Sequence, residues 1–84
     1  MVMNWQDYIH SDPKIVAGKP VIKGTRLSVE FILGRLADGW SEQMILESYP
    51  RLTSESLRAI YGYLLEMAKD GLLYHPATPF KQAS

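Results

Sequence analysis

The sequence contains no cysteine, no long run of apolar residues and no excess of charge of either sign. Without cysteine, the chain has neither disulfides nor thiolate metal sites, and this composition fits a reducing cytosol. No apolar run approaches the roughly 20 residues that a membrane-spanning helix needs. The first seven residues lack the basic and apolar regions of a signal peptide. These absences predict a soluble, cytoplasmic protein.

The nine basic residues balance the nine acidic ones, but the two kinds are unevenly distributed along the chain. Residues 14–26 contain four basic residues and no acidic one, whereas residues 27–72 contain four basic and seven acidic residues. Affinity for nucleic acid comes largely from neutralised phosphates, so a neutral chain is a poor nucleic-acid binder as a whole. The basic segment leaves local DNA binding open.

The spacing of apolar residues predicts three helices in one domain. Ser28 is placed to cap the first helix and Gly39 to end it; Ser41 caps the second, which runs to about Ser48; Thr53 caps the third, which closes at Asp70-Gly71. The predicted inner faces are Val29, Ile32, Leu33, Leu36 and Ala37; then Met44, Ile45 and Tyr49; and finally Leu57, Ile60, Tyr61, Leu64, Leu65 and Ala68.

The segment before the first helix is rich in turn signals and short apolar pieces. The pieces Ile15-Val16 and Val21-Ile22 lie between turns that contain glycine and proline, which predicts a small β-hairpin or an extended arm. Three parts of one domain follow: an N-terminal arm or hairpin over residues 1–27, a three-helix core over 28–71 and an irregular tail over 72–84. The predicted fold is mainly α, a trihelical bundle that is either a helix-turn-helix or a plain bundle with no role in nucleic-acid binding.

Three stretches carry a resemblance to a known family: IVAGKPVIKGTRLSV at residues 15–29, ADGWS at 37–41 and YPRLT at 49–53. Together they resemble the domain of unknown function 433 (DUF433), a family of VapB-type antitoxin-like proteins. The resemblance covers about residues 8–70, and GKPVIKGTR is its most specific part. It implies a homeodomain-like, winged-helix-related fold and the antitoxin half of a toxin–antitoxin pair, which binds a PIN-like nuclease toxin and operator DNA.

Two groups of residues are candidate DNA contacts. Lys19, Lys23 and Arg26 lie on the arm, where they are placed to meet phosphates or a groove. The first turns of a recognition helix meet base edges, and here they offer Arg51, Ser54 and Arg58. In the alternative interpretation Arg26 pairs with an acid such as Glu30 and the lysines are only solvated. The outward face predicted for the third helix also carries Glu55, Glu66 and Asp70, which would repel phosphates.

A second candidate surface would bind protein. Glycine inside a helix costs about 1 kcal/mol relative to alanine, so Gly62 calls for a reason. Ala59, Gly62 and Tyr63 would form a low ridge for a homodimer or toxin interface, with Gly34 playing the same part in the first helix. The alternative is that these glycines allow close packing between the first and third helices within one chain. The apolar tail residues Leu72, Leu73 and Phe80 are placed to dock on a toxin or on the chain itself.

Nothing in the sequence points to catalysis or to a cofactor. The two histidines, His10 and His75, lie near opposite ends of the chain, and Asp7, His10 and Asp12 lack the spacing of metal ligands. No phosphate loop, dinucleotide fingerprint or nucleophile motif is present. We therefore expect no enzyme, no metal and no cofactor. The first functional hypothesis is an antitoxin-like DNA-binding regulator that works as a homodimer; the alternative is a protein-interaction module with no affinity for DNA.

Overall fold

A computed structural model describes residues 3–71 of the chain. These residues form a mainly helical bundle with a small N-terminal hairpin, which confirms the predicted fold class. In chain order the elements are a 3₁₀ helix Trp5–Asp7, strand β1 (Ile9–His10), a 3₁₀ helix Val16–Gly18, strand β2 (Val21–Ile22) and helices α1 (Val29–Ala37), α2 (Glu42–Ser48) and α3 (Ser54–Lys69). None of the helices in this part of the chain is long and apolar enough to cross a membrane.

Each α-helix begins at the capping residue that the sequence predicts. The hydroxyls of Ser28, Ser41 and Thr53 each accept a hydrogen bond from the backbone N–H three residues further on. Such a bond satisfies one of the amides that a helix start leaves without a partner. Gly39 takes a φ of 100° directly after α1, a conformation that glycine adopts without steric cost. Local chemistry therefore fixes the helix boundaries.

The hairpin pairs different strands from those expected. β1 and β2 are antiparallel, with Ile9 opposite Ile22 and His10 opposite Val21. The prediction that Ile15-Val16 forms one of the extended pieces is wrong. Val16 and Ala17 have φ angles of 48° and 56°, so the chain turns left-handed there and leaves the extended region. Ten residues of turns, 11–20, connect the two strands.

The core lies where the three helices meet the hairpin. Its buried apolar side chains are Ile9, Ile22, Val29, Ile32, Ile45, Leu52, Leu57, Ala59 and Ile60. Five residues predicted to face inward are instead exposed: Ala37 and Ala68, together with Met44 by 45%, Tyr61 by 44% and Leu65 by 57%. The predicted outward position of Ala59 is also wrong, because this side chain is fully buried. The buried stripe of α3 is therefore rotated away from Tyr61 and Leu65 towards Ala59.

The N-terminal 3₁₀ helix packs on the C-terminal half of α3. The indole Nε1 of Trp5 donates a hydrogen bond to Oε1 of Glu66 over 2.9 Å. Its ring meets the ring of Tyr63 edge to face, with centroids 4.9 Å apart. This contact attaches the start of the arm to the end of the bundle.

Candidate nucleic-acid interface

The turn between β2 and α1 presents two cations on a stiff backbone. The N–H and the hydroxyl of Thr25 both donate to the carbonyl of Ile22, and the same hydroxyl accepts from the N–H of Leu27. Gly24 takes a φ of 80° at the tip. Lys23 and Arg26 flank Gly24 and Thr25, and both are exposed. The turn therefore holds the two positive side chains outward on one ordered loop.

Arg51 connects this turn to the helices. It lies in the loop between α2 and α3, and its Nη1 donates to the carbonyl oxygen of Gly24. Arg51 is exposed, as is Lys23 beside Gly24. Arg26 and Arg51 also line one shared groove. We call Lys23, Arg26 and Arg51 the basic corner.

The N-terminus of α3 begins two residues after Leu52, close to Arg51 in the chain. Thr53 and Ser56 form a reciprocal capping box, and Ser54 is the first helical residue and is exposed. A helix N-terminus carries a partial positive charge that favours anions. The sequence-predicted contacts Arg51 and Ser54 thus lie near this end of α3, with the two cations of the β2–α1 turn held beside Arg51.

Two of the six predicted DNA contacts lie elsewhere. Nζ of Lys19 forms an ion pair with Oε1 of Glu30 over 2.6 Å. Arg58 lines a separate hollow next to Trp5 and Tyr61. The alternative interpretation, in which Arg26 pairs with Glu30, is wrong, because the cation that pairs with Glu30 is Lys19. Among residues 3–71 no ion pair of Arg26 is found.

The Lys19 ammonium holds the pKa of the Glu30 carboxyl below its ordinary value, first through the hydrogen bond and then through charge attraction. A lowered folded-state pKa stabilises the fold above the ordinary value of 4.5, and this contribution is lost as the pH falls through the lowered pKa. Lys19→Ala is expected to return the Glu30 pKa towards its ordinary value. A carboxyl-detected NMR titration of the variant and the unaltered chain measures this change. An unchanged Glu30 pKa would contradict the ion pair.

The ridge on α3 that the sequence predicts to bind another protein is covered by the N-terminal 3₁₀ helix of the same chain. A Cβ added at Gly62 would lie 3.6 Å from Cβ of Trp5, and Tyr63 packs on the same ring. Ala59 belongs to the core and does not reach the surface. Gly34, in contrast, faces open space, since nothing lies within 4 Å of a Cβ placed there. The ridge is therefore an internal contact, although between α3 and the N-terminal 3₁₀ helix rather than between α1 and α3.

The tail residues Leu72, Leu73 and Phe80, predicted to dock, lie outside the described residues. Within residues 3–71, no group of three or more His, Asp or Glu side chains is arranged to hold a metal ion. The histidine of that segment, His10, instead lines the groove that Arg26 and Arg51 share. Sequence reasoning missed this groove, because its two sides are 27 residues apart in the chain and no motif joins them.

Comparisons with known proteins agree with the fold and leave the function open. Residues 9–64 match the profile of a family described as "Protein of unknown function (DUF433)". An uncharacterized protein of Sinorhizobium fredii strain NGR234, y4eO, is 36% identical over 53 residues, which are 63% of this chain and 24% of that protein. The chain therefore spans about a quarter of the length of this relative.

A solved structure has the same fold. It is the crystal structure of a DUF433 member protein from Anabaena variabilis ATCC 29413, 28% identical to this chain, with a TM-score of 0.70. The similarity covers 77% of this chain and 64% of that one.

Proposed function

We propose that this chain, which belongs to the DUF433 family, is a DNA-binding regulator of the antitoxin type that acts as a homodimer and neutralises a PIN-like nuclease by direct binding. The observation that carries the DNA-binding part is the hydrogen bond from Arg51 to the carbonyl of Gly24. It brings the Lys23–Arg26 turn against the loop that leads into α3. Arg26 and Arg51 thereby line one groove, and Lys23, the residue next to Gly24, is exposed.

This surface has the chemistry of a phosphate-binding site. Lysine and arginine side chains neutralise backbone phosphates, and backbone amides at a helix start add donors. Ser54 supplies an adaptable hydroxyl at the same end of α3. A stiff turn loses little conformational freedom when it binds, because its backbone is already ordered by three hydrogen bonds.

Of the three outward carboxylates of α3, Glu55 lies in the first turn, where it is one negative charge against the three cations of the basic corner, whereas Glu66 and Asp70 lie far from that end. A helix rises about 1.5 Å per residue, so Glu66 lies roughly 18 Å along the axis from Ser54. That distance exceeds the screening length at physiological salt, which is about 8 Å. The N-terminal end of α3, together with the basic corner, can therefore meet DNA while Glu66 and Asp70 stay away from it. A homodimer would double the number of basic corners and offset the neutral net charge.

The decisive experiment is a titration of the purified chain against its own upstream DNA over a range of salt concentrations. Lys23→Ala combined with Arg26→Ala is expected to weaken binding by about tenfold or more, and to reduce the slope of log affinity against log salt by about 2. Both side chains are exposed, so the melting temperature should not change.

Lys14→Ala combined with Lys69→Ala is the matched control, because it removes the same charge from exposed positions outside the basic corner. If both double variants lost the same DNA affinity, the effect would come from net charge alone, which would contradict the assigned surface. Absence of binding by the folded, unaltered chain would overturn the DNA-binding function altogether.

The second candidate function is a protein-interaction module without DNA affinity. It is favoured by Tyr61 and Leu65, which are exposed one helical turn apart on α3 beside a hollow of about 440 Å³. Exposed apolar side chains around a hollow are typical of protein-binding surfaces. The same titration separates the two candidates, since this module predicts no salt-dependent affinity for DNA.

A further inference from the structure

A groove of about 620 Å³ lies between the turns of the arm and the α2–α3 loop. Ile15, Leu27 and Pro50 provide apolar walls, while Arg26 and Arg51 add two guanidinium groups. No carboxylate is among the described residues that line it. The groove therefore combines apolar surface with uncompensated positive charge.

One polar atom of the lining is unsatisfied. Nε2 of His10 is shielded from solvent and has no hydrogen-bond partner among residues 3–71. Buried polar atoms in folded proteins almost always have a partner, and the exceptions often mark functional positions. Since His10 lines the groove, a bound ligand can supply this partner if the imidazole ring turns to bring Nε2 into the groove.

We propose that this groove binds a short peptide segment of a partner protein in which an acidic side chain neighbours a large apolar one. The carboxylate would accept hydrogen bonds from Arg26 and Arg51, whose planar guanidinium groups match carboxylate geometry. The apolar side chain would pack between Ile15 and Pro50. This assignment rests on the protein-binding part of the proposed function and names the chemistry that the partner presents.

Two other occupants fit the groove less well. The groove is open to solvent along one side, whereas small-molecule sites usually enclose most of their ligand. A second copy of the chain whose two-fold axis passes through the groove would bring the same arginines against each other. A peptide segment satisfies both the open shape and the charge.

The test is a selection of a random-peptide display library on the immobilised full chain, with the Arg26→Ala variant as the reference. Enriched peptides are expected to place Asp or Glu next to Leu, Ile, Phe or Trp. A synthetic peptide of the enriched sequence should bind Arg26→Ala about tenfold more weakly than it binds the unaltered chain. The same peptide with its acid changed, Asp→Asn or Glu→Gln, should bind the unaltered chain about tenfold more weakly than the original peptide does. Lys23→Ala and Arg58→Ala, which remove a cation outside the groove, should leave the affinity within about twofold.

His10→Phe distinguishes a ligand contact from a structural role. The substitution keeps a ring but removes both nitrogens, so the unsatisfied Nε2 disappears. Peptide affinity should fall by about fivefold while the melting temperature is unchanged or higher. A lower melting temperature with unchanged affinity would make His10 structural and would count against the site.

The remaining outcomes are equally decisive. No enrichment over the Arg26→Ala reference, or enriched peptides that lack an acid, would overturn the proposal. If phenylacetate bound as tightly as the peptide, the ligand of the groove would be a small aromatic acid and the peptide proposal would be wrong. Weaker DNA binding by Lys23→Ala with peptide affinity intact separates this site from the proposed DNA surface, so either part can fail without the other.

Discussion

Replacing Ile32 by alanine is expected to lower the free energy of unfolding by about 3 kcal/mol. The side chain is fully buried at the middle of α1, inside the cluster where the three helices meet the hairpin. Its removal loses the transfer free energy of the deleted carbons and leaves a cavity that close-packed neighbours fill only in part. A domain of this size has a total stability of roughly 5 kcal/mol or slightly more, so more than half is lost. Urea unfolding followed by circular dichroism measures the change.

Leu65→Ala is the matched control for this prediction. It also shortens an aliphatic side chain on a helix, but Leu65 is 57% exposed, so its cost should stay within about 0.5 kcal/mol. Helical spacing alone assigns both residues to inner faces. Equal destabilisation by the two variants would therefore favour the spacing argument and contradict the burial that the structure gives.

The helix boundaries could be predicted because their causes lie within a few residues of each end. Ser28, Ser41 and Thr53 each cap the helix that follows them, and the bond involved spans three residues. Glycine after α1 relieves a conformation that other residues adopt only with strain. Such signals are readable without knowledge of the rest of the fold.

The orientation of α3 could not be predicted in the same way. Helical spacing shows which residues share a face, but the neighbour that covers that face decides which stripe is buried. Here Trp5 packs over Gly62, and the side chain of Ala59 is buried in the core. Tyr61 is consequently exposed, and its hydroxyl donates to the Glu42 carboxylate, which raises the pKa of Tyr61. That partner lies 19 residues away, so no local pattern indicates it.

The candidate site shows the same division between local and distant causes. The exposure of Lys23 and Arg26 follows from a turn whose hydrogen bonds all lie within six residues, and the sequence indicates that turn. The position of Arg51 against Gly24, and the groove that His10 shares with Arg26, depend on how the arm folds back on the helices. Strands of two residues contain no periodicity from which that pairing could be derived.

Replacing Trp5 by alanine is expected to cost about 2 kcal/mol, below the range for a fully buried tryptophan because this side chain is only half-buried. The variant loses the hydrogen bond to Glu66, the edge-to-face contact with Tyr63 and the cover over Gly62. The 3₁₀ helix that contains Trp5 leads directly into β1, so the loss falls on the attachment of the arm. Thermal unfolding measures the cost, and an unchanged melting temperature would contradict the anchoring role.

Gly62→Ala is the matched control, because it changes the same contact from the opposite side. Its Cβ would meet Trp5 at 3.6 and 3.8 Å, which are ordinary contact distances, and it removes a mid-helix glycine. We therefore expect Gly62→Ala to raise stability by up to about 1 kcal/mol.

Amide hydrogen exchange then shows how far the arm depends on this anchor. The N–H of Lys23 donates to the carbonyl of Tyr8, three residues after Trp5, so its protection reports on the attachment of the arm. Protection lost at Lys23 but kept in α1 would mean that Trp5→Ala releases the arm as a separate unit. Since the arm presents Lys23 and Arg26, DNA affinity should then fall although the bundle stays folded. Equal loss of protection throughout would mean that arm and bundle unfold together.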